Sequence, residues 1–442
     1  MGEHAGGIPP AEADARPRGD SRLHATTGYA AYALAFLTLI SAFNYLDRGV
    51  LGLALPLIKR ELQVSDTLLG LVSGLAFALF YTLLGIPIAA LADRWNRRNI
   101  IALGFAFWSL MTMLTGMVGN IWQLALARFL MGSGEACGIA PSNSLLADLF
   151  REHRRPLALA VFGTATAVAS IVFFPVLGWI GQHHGWRAMF IACGAPGLAL
   201  ALVFRLTVRE PARGGSERAA HPQDVYSMRH AVGFLLGARS FWLMLIGSMF
   251  MGACVYAGST WNASFLVRVH QLRLAQVAAS IGPIQGVASA TGILLGGSIT
   301  DLLGRRDERW RLWLPAAACL LAAPCEMLFL LGRAQAAWMV GLGLTSLFAI
   351  AHQAPVFAAA MSVARVRMRA VAIALLVLSS GLLGQILGPL LVGVLNDRLR
   401  PLLGGASIRY SLLLVSACAT GAAVAFWWAA RALRADRARA LA

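Results

Sequence analysis

Twelve apolar runs, each of about twenty residues or more, divide this chain of 442 residues. They fall roughly at 29–57, 66–91, 99–119, 121–149, 156–181 and 186–206, then at 237–266, 274–300, 311–332, 336–362, 370–396 and 408–430. A helix rising about 1.5 Å per residue needs about that length to cross the hydrocarbon of a bilayer. No water reaches a peptide group there, and a helix satisfies its own backbone run by run. The expected fold class is an all-α polytopic membrane protein with 12 transmembrane helices. Composition agrees: 58% of residues are hydrophobic and 13% charged, against about 25% charged in soluble domains.

The segments between the runs carry the orientation. With the N-terminus inside, 26 of the 37 basic residues fall in cytoplasmic segments and 9 in outside loops, leaving Arg48 and Arg128 within runs. That asymmetry places both termini in the cytoplasm, in a bacterial-type inner membrane. It also accounts for the net charge of +17, so no nucleic-acid partner is expected. Lys59 is the sole lysine, a bias that carries no functional reading. Residues 1–28 lack an apolar signal core and read as a disordered cytoplasmic tail. Residues 207–236, with Glu210-Pro211-Ala212-Arg213-Gly214-Gly215, read as a cytoplasmic linker, and 431–442 as a basic cytoplasmic tail. Cys137, Cys193, Cys254, Cys319, Cys325 and Cys418 all lie in apolar runs without a CxxC pair. They are expected to be buried thiols, with no metal site and no cofactor.

The chain repeats itself. Asp93-Arg94-Trp95-Asn96-Arg97-Arg98 returns as Asp301-Leu302-Leu303-Gly304-Arg305-Arg306, 208 positions later. Pro141 pairs with Pro355, and Pro175 with Pro389, at an offset of 214. Two pseudo-symmetric six-helix bundles, 29–206 and 237–430, are expected, with a site between them at mid-depth.

Charges inside the runs mark that site, because a charge at bilayer depth is costly and usually faces a water-filled cavity. Asn44, Asp47 and Arg48 stand at i, i+3 and i+4 on one helical face, beside Tyr45. Glu135 lies halfway along the fourth run, with Arg128 seven residues earlier. Asp47 and Glu135 are the expected proton sites, with Arg48 as the partner of an anionic headgroup. The alternative for Asp47 and Arg48 is a structural ion pair; Arg128 reads first as a clamp between helices and otherwise as a substrate contact. Tyr256, Trp261, Asn262, Gln285, His352 and Gln353 are the expected cavity wall of the second half; His352 reads equally as a packing group. Glu326, in the ninth run, has no assigned role. On the cytoplasmic side, Asp93, Arg94, Arg97, Arg98, Glu152 and Arg155 face Asp301, Arg305, Arg306 and Arg367 as an expected gate latch. Plain positive-inside topology explains these arginines too, though not the aspartates. Runs five and eleven, rich in Gly and Pro (163–175 and 381–389), read as flexing helices or as close packing.

The Asp93 and Asp301 segments resemble the loop motif GxxxD(R/K)xGxx(R/K) of the major facilitator superfamily. The second copy keeps Gly297 and Gly304, whereas Ala89 and Asn96 replace the glycines in the first. Arg128 to Ala136 and Gly185-Trp186-Arg187 resemble further motifs of that family. Within it, Asn44-Tyr45-Leu46-Asp47-Arg48, Gly134-Glu135-Ala136 and Ser144 to Phe150 resemble Spinster-like lipid transporters. The resemblance implies a major facilitator fold and proton-coupled movement of lysolipids or sphingoid phosphates by a monomer that works by alternating access. Anion:cation symporters for organic acids also carry an asparagine-tyrosine-aspartate-arginine motif in helix 1, which keeps an organic-anion/proton symporter open. A membrane-embedded enzyme would need a nucleophile with a base, or a metal cluster. No HxxxD, HExxH or nucleotide-binding motif is present, so the chain is not expected to be an enzyme.

Overall fold

The computed structural model describes residues 27–211 and 228–441. The tail expected over residues 1–28 lies almost wholly outside them, as does most of the linker, which ends in a short helix, Met228–Leu236. Among the described residues, nine continuous helical stretches are long and apolar enough to span a bilayer. Two of these are too long for one crossing. Arg155–Thr207 has 53 residues and Val366–Leu441 has 76, where about twenty suffice. The first reverses at Gly185, whose φ of 80° is open to glycine alone. The second turns at Gly404, with φ 55°.

The elements are α1 (Thr27–Leu62), α2 (Asp66–Arg94), α3 (Arg97–Thr115), α4 (Ile121–Glu135 and Ile139–Leu149), α5 (155–184) and α6 (186–207). The second half follows as α7 (Arg239–Val269), α8 (Leu274–Gly304), α9 (Trp310–Leu331), α10 (Gln335–Ala351 and Gln353–Ser362), α11 (369–403) and α12 (Leu413–Leu441). The basic segment read as a tail from residue 431 continues α12 as helix to Leu441. Its charges pin neighbouring loops: Arg434 pairs with Asp307 at 2.9 Å, and Arg437 with Glu308. A π-helical turn interrupts α5 at Ala169–Phe173 and α11 at Ser379–Gly384. These are the two helices whose Gly and Pro content set them apart in the sequence.

Packing within the halves uses small residues to bring helices close. A Cβ on Gly194 would strike the backbone of Ser109 and Met113, which locks α6 on α3. Between the halves, contact is concentrated at one end. On α2, Gly70 lies against the Pro389 carbonyl of α11, and Gly74 against that of Gln385. Gly52 of α1 meets Ser259 of α7, and Gly282 of α8 meets Ser170 of α5. The hydrogen bonds that join the halves through Asp66, Thr67 and Ala275 lie at the far side, the end away from Thr27, Thr207 and Leu441. These contacts close the far side.

Candidate functional site

The break in α4 positions the central carboxylate. Gly132 and Gly134 let α4 approach its neighbours so closely that a Cβ would lie 2.7 Å from the Phe77 carbonyl oxygen of α2 and 2.9 Å from Trp108 of α3. One residue later the helix ends at Glu135, which is fully buried. The turn is closed by the amide of Gly138, which donates to the Glu135 carbonyl at 3.0 Å. Glu135 is thereby held against α1.

Arg48 Nε donates to Glu135 Oε2 at 2.9 Å, and Asn44 Nδ2 donates to the same oxygen at 2.8 Å. The Arg48 guanidinium lies 4.9 Å from the Phe77 ring centroid and 4.6 Å from that of Tyr81, which cation–π attraction favours. Its side chain keeps 19% exposure, whereas that of Glu135 keeps none. Arg48 is therefore the cavity-side member of the pair. Asn44 and Asp47 are each only 2% exposed. Asp47 points into the first bundle, among Thr112, Trp108 and Arg128, and not into the cavity expected from its face. Phe43 of α1 packs on Phe105 of α3, and Phe105 on Trp108, an aromatic cluster on that side of α1. Arg128 Nη1 donates to the Asp47 carbonyl at 3.2 Å, and its guanidinium packs on Phe77 at 5.4 Å. Buried at 2% exposure, it clamps α4 to α1. With Arg128 included, the cluster holds two carboxylates and two guanidiniums, a formal charge of zero. Asn44 Oδ1, Asp47 Oδ1, Arg48 Nη2, Arg128 Nε and Glu135 Oε1 are buried without a hydrogen-bond partner. So many unmatched polar atoms in one place are uncommon in a structural core.

Residues of the second half divide between wall and clamp. Tyr256, His352 and Gln353 line a small cavity of about 120 Å³ with Met251, Phe357 and Ser380. Within it His352 also packs: Nδ1 lies 2.6 Å from the Ala349 carbonyl and the ring stacks on Phe426. Gln285 is half-buried on α8. Trp261 is wholly buried, and its Nε1 donates to the Pro389 carbonyl at 3.0 Å, tying α7 to α11. Asn262 is buried beside it at 5% exposure. Both lie in the closed far side and not on the cavity. Glu326 is buried on α9, away from the central cluster.

The profile of the Major Facilitator Superfamily matches residues 37–389. The chain belongs to the Major Facilitator Superfamily. It is 31% identical over 407 residues to an MFS-type efflux pump of Mycolicibacterium smegmatis, covering 91% of this chain and 93% of that protein. A probable galactarate/D-glucarate transporter of Bacillus subtilis is 27% identical, over 70% of this chain and 73% of that one. The crystal structure of a bacterial homolog to the human lysosomal transporter Spinster, inward-facing and unoccupied, superposes with a TM-score of 0.82 at 27% identity. That match covers 93% of this chain and 99% of the other. Within the superfamily the likeness is to Spinster, and the protein is a multi-pass membrane transporter.

The charged residues at the two ends divide between contacts within a half and contacts across the halves. Among the described residues on the linker side, the ion pairs of Arg97, Arg434 and Arg437 stay within a half. Arg97 holds Asp148 at 2.6 Å and Glu210 at 2.7 Å, joining α3, α4 and the start of the linker, and the amide of Arg98 donates to Glu210 at 2.8 Å. Arg155 caps the Phe150 carbonyl at 3.2 Å. Arg94, Asp301, Arg305, Arg306 and Arg367 are exposed, and the side chains of Asp93 and Glu152 lie outside the described residues. The polar clasp between halves is instead on the far side. Asp66, the first residue of α2, takes Arg268 of α7 through two bonds of 2.9 Å, Lys59 of α1 at 2.6 Å, and Asn396 of α11. Asp397 accepts the α2 amides of Asp66 at 3.0 Å and Thr67 at 2.7 Å, capping a helix of the other half. In the repeat-related place, Gln182 of α5 accepts the amide of Ala275 in α8 at 3.0 Å. None of these clasp residues was a sequence candidate. The signal available was the repeat: offset 208 pairs Thr67 with Ala275, and offset 214 pairs Gln182 with Asn396.

Proposed function

We propose that this transporter couples a proton to an anionic amphiphile, with the Arg48–Glu135 pair as the exchange point. The supporting observation is the geometry of that pair: a cavity-side guanidinium whose Nε is bound to one oxygen of a buried carboxylate. An anion entering the cavity competes with Glu135 for Arg48. A guanidinium takes phosphate or carboxylate bidentately, and Arg48 Nη2 has no partner now. Charge sets the coupling. The four-residue cluster is neutral as it stands, and a bound monoanion leaves a buried surplus of −1. A proton on Glu135 restores neutrality and releases Arg48 at the same time. Proton and anion therefore bind together, and each raises affinity for the other. Asp47 and Arg128 hold the counter-charges behind α1, so in this reading Asp47 acts on Glu135 through the field and not through contact with substrate.

Tyr45, Tyr81 and Tyr256 surround Arg48, and the second-half wall of Val255, Ile350, Val356 and Phe357 is mainly apolar. A headgroup at Arg48 with a chain along that wall fits a lysolipid or a sphingoid phosphate. With the linker side cytoplasmic, as the arginine distribution indicates, the closed far side faces outward. A second reading, a small organic diacid, is favoured by the likeness to the galactarate/D-glucarate transporter. Uptake into proteoliposomes under an imposed pH gradient, with lysolipids run against sugar diacids, separates the two. Concentrative uptake of neither class, with wild type and Glu135→Gln indistinguishable, defeats the proposal.

A further inference from the structure

We propose that the far side of the protein carries a second anion site, for a phosphate-class oxyanion that bridges the two halves. A cavity of about 680 Å³ lies above the clasp, walled by Lys59 and Arg60 of α1, Arg268 of α7 and Arg400 of α11. Its one acidic lining residue is Asp66, so the wall carries four cations and one carboxylate. Asp66 is already committed to Arg268, Lys59 and Asn396. Among the described residues, no carboxylate lies in ion-pair range of Arg60 or Arg400. Two cations from each half thus meet across a closed interface, with a surplus of three positive charges on the lining and of two once Asp397 beside Asp66 is counted. Coulomb repulsion opposes that closure unless an anion joins it.

The lining is built twice. Offset 208 carries Arg60 onto Arg268 and Gln63 onto Gln271. Each glutamine has a left-handed backbone, φ 51° and 54°, and each donates from Nε2 to the carbonyl of its own arginine at 2.7 Å. A non-glycine residue in that conformation is strained, and such strain gathers at functional sites. The pair of left-handed turns presents one arginine from each half to a common cavity. A tetrahedral dianion there engages both halves at once. It binds the far-side-closed state in preference to the open one and holds the transporter in that state. The site is distinct from the Arg48 pocket, since Arg48 is not among its lining residues.

Lys59 makes the test specific, since it is the chain's only lysine. The full-length protein is placed in neutral phosphatidylcholine nanodiscs, and acylation of Lys59 by an amine-reactive ester is followed by peptide mass spectrometry. Inorganic phosphate at ten times its dissociation constant should slow acylation about tenfold, whereas chloride at matched ionic strength should not. Arg60→Gln and Arg400→Gln, one from each half and both exposed, should each weaken protection about tenfold. Protection that appears only in phosphatidylglycerol nanodiscs without added phosphate assigns the same site to a lipid headgroup. Equal protection by chloride and phosphate, or protection unchanged in both variants, overturns the proposal. Because Arg400 makes no ion pair among the described residues, its variant separates loss of binding from loss of folding.

Discussion

Replacing Asp66 by asparagine tests the far-side clasp at its centre. Asn keeps the shape and can still meet Asn396, but it removes the charge that Arg268 and Lys59 share. The Asp66 side chain has no exposure, while Lys59 keeps 14% and Arg268 19%. Breaking a fully buried pair costs about 3–5 kcal/mol, and partial exposure of the two cations reduces this to about 2–3 kcal/mol. The Arg268 and Asn396 contacts join the halves only when the far side is closed, so their loss falls on that state alone, whereas the Lys59 contact lies within the first half and is lost from both states. The ratio of far-side-open to far-side-closed protein should rise by about 30- to 150-fold. Spin labels at His184 and Arg333, exposed far-side positions in opposite halves, report the distance by pulsed electron spectroscopy. A distribution in Asp66→Asn that matches wild type, with the same thermal midpoint, refutes the reasoning.

Other outcomes follow from single contacts. A Cβ on Gly393 would overlap the Asp66 carbonyl oxygen, so Gly393→Ala should widen the same label distance; an unchanged distance contradicts the packing argument. Gly185 has φ 80° and open space around its Cβ position, so Gly185→Ala carries a purely backbone cost of about 1–3 kcal/mol, read as a lower thermal midpoint. The Asp307 carboxyl is held below the usual carboxylate range, first by the backbone amide of Arg309 and then by Arg434. Its contribution is complete above the unfolded value near pH 4 and disappears as pH falls through the lower folded value. Hydrogen exchange over 434–441 should therefore accelerate only below about pH 4; acceleration that begins near neutrality contradicts this pairing.

The spans were legible because bilayer thickness fixes their length, and the reversal at Gly185 falls where a glycine interrupts apolar sequence. The meeting of Asn44, Arg48 and Glu135 was legible for a related reason, since buried charges in neighbouring helices need partners. What spacing did not settle is direction. Positions i, i+3 and i+4 share a face about 100° wide, and the cavity edge divides that face between Arg48 and Asp47. The clamp reading of Arg128 came from the sequence, but its register with Glu135 does not say that the Asp47 carbonyl is what it holds. The clasp was missed because Lys59, Asp66 and Arg268 sit at span ends, where charges read as topology signals. Its cross-half pairing depends on which gate is shut, which no local pattern carries. The linker-side candidates come from the same ambiguity: Arg97 and Arg98 place their bonds within the first half, on Asp148 and Glu210.

The measurement closest to the central claim counts protons as the anion binds. In weakly buffered solution with a pH indicator, saturating the purified protein with an anionic ligand should take up about one proton per monoanion, the number that keeps the Arg48, Arg128, Asp47 and Glu135 cluster neutral. Glu135→Gln should bind the same ligand with no proton uptake and with affinity independent of pH. Binding without proton uptake in wild type, or equal uptake in Glu135→Gln, contradicts the account.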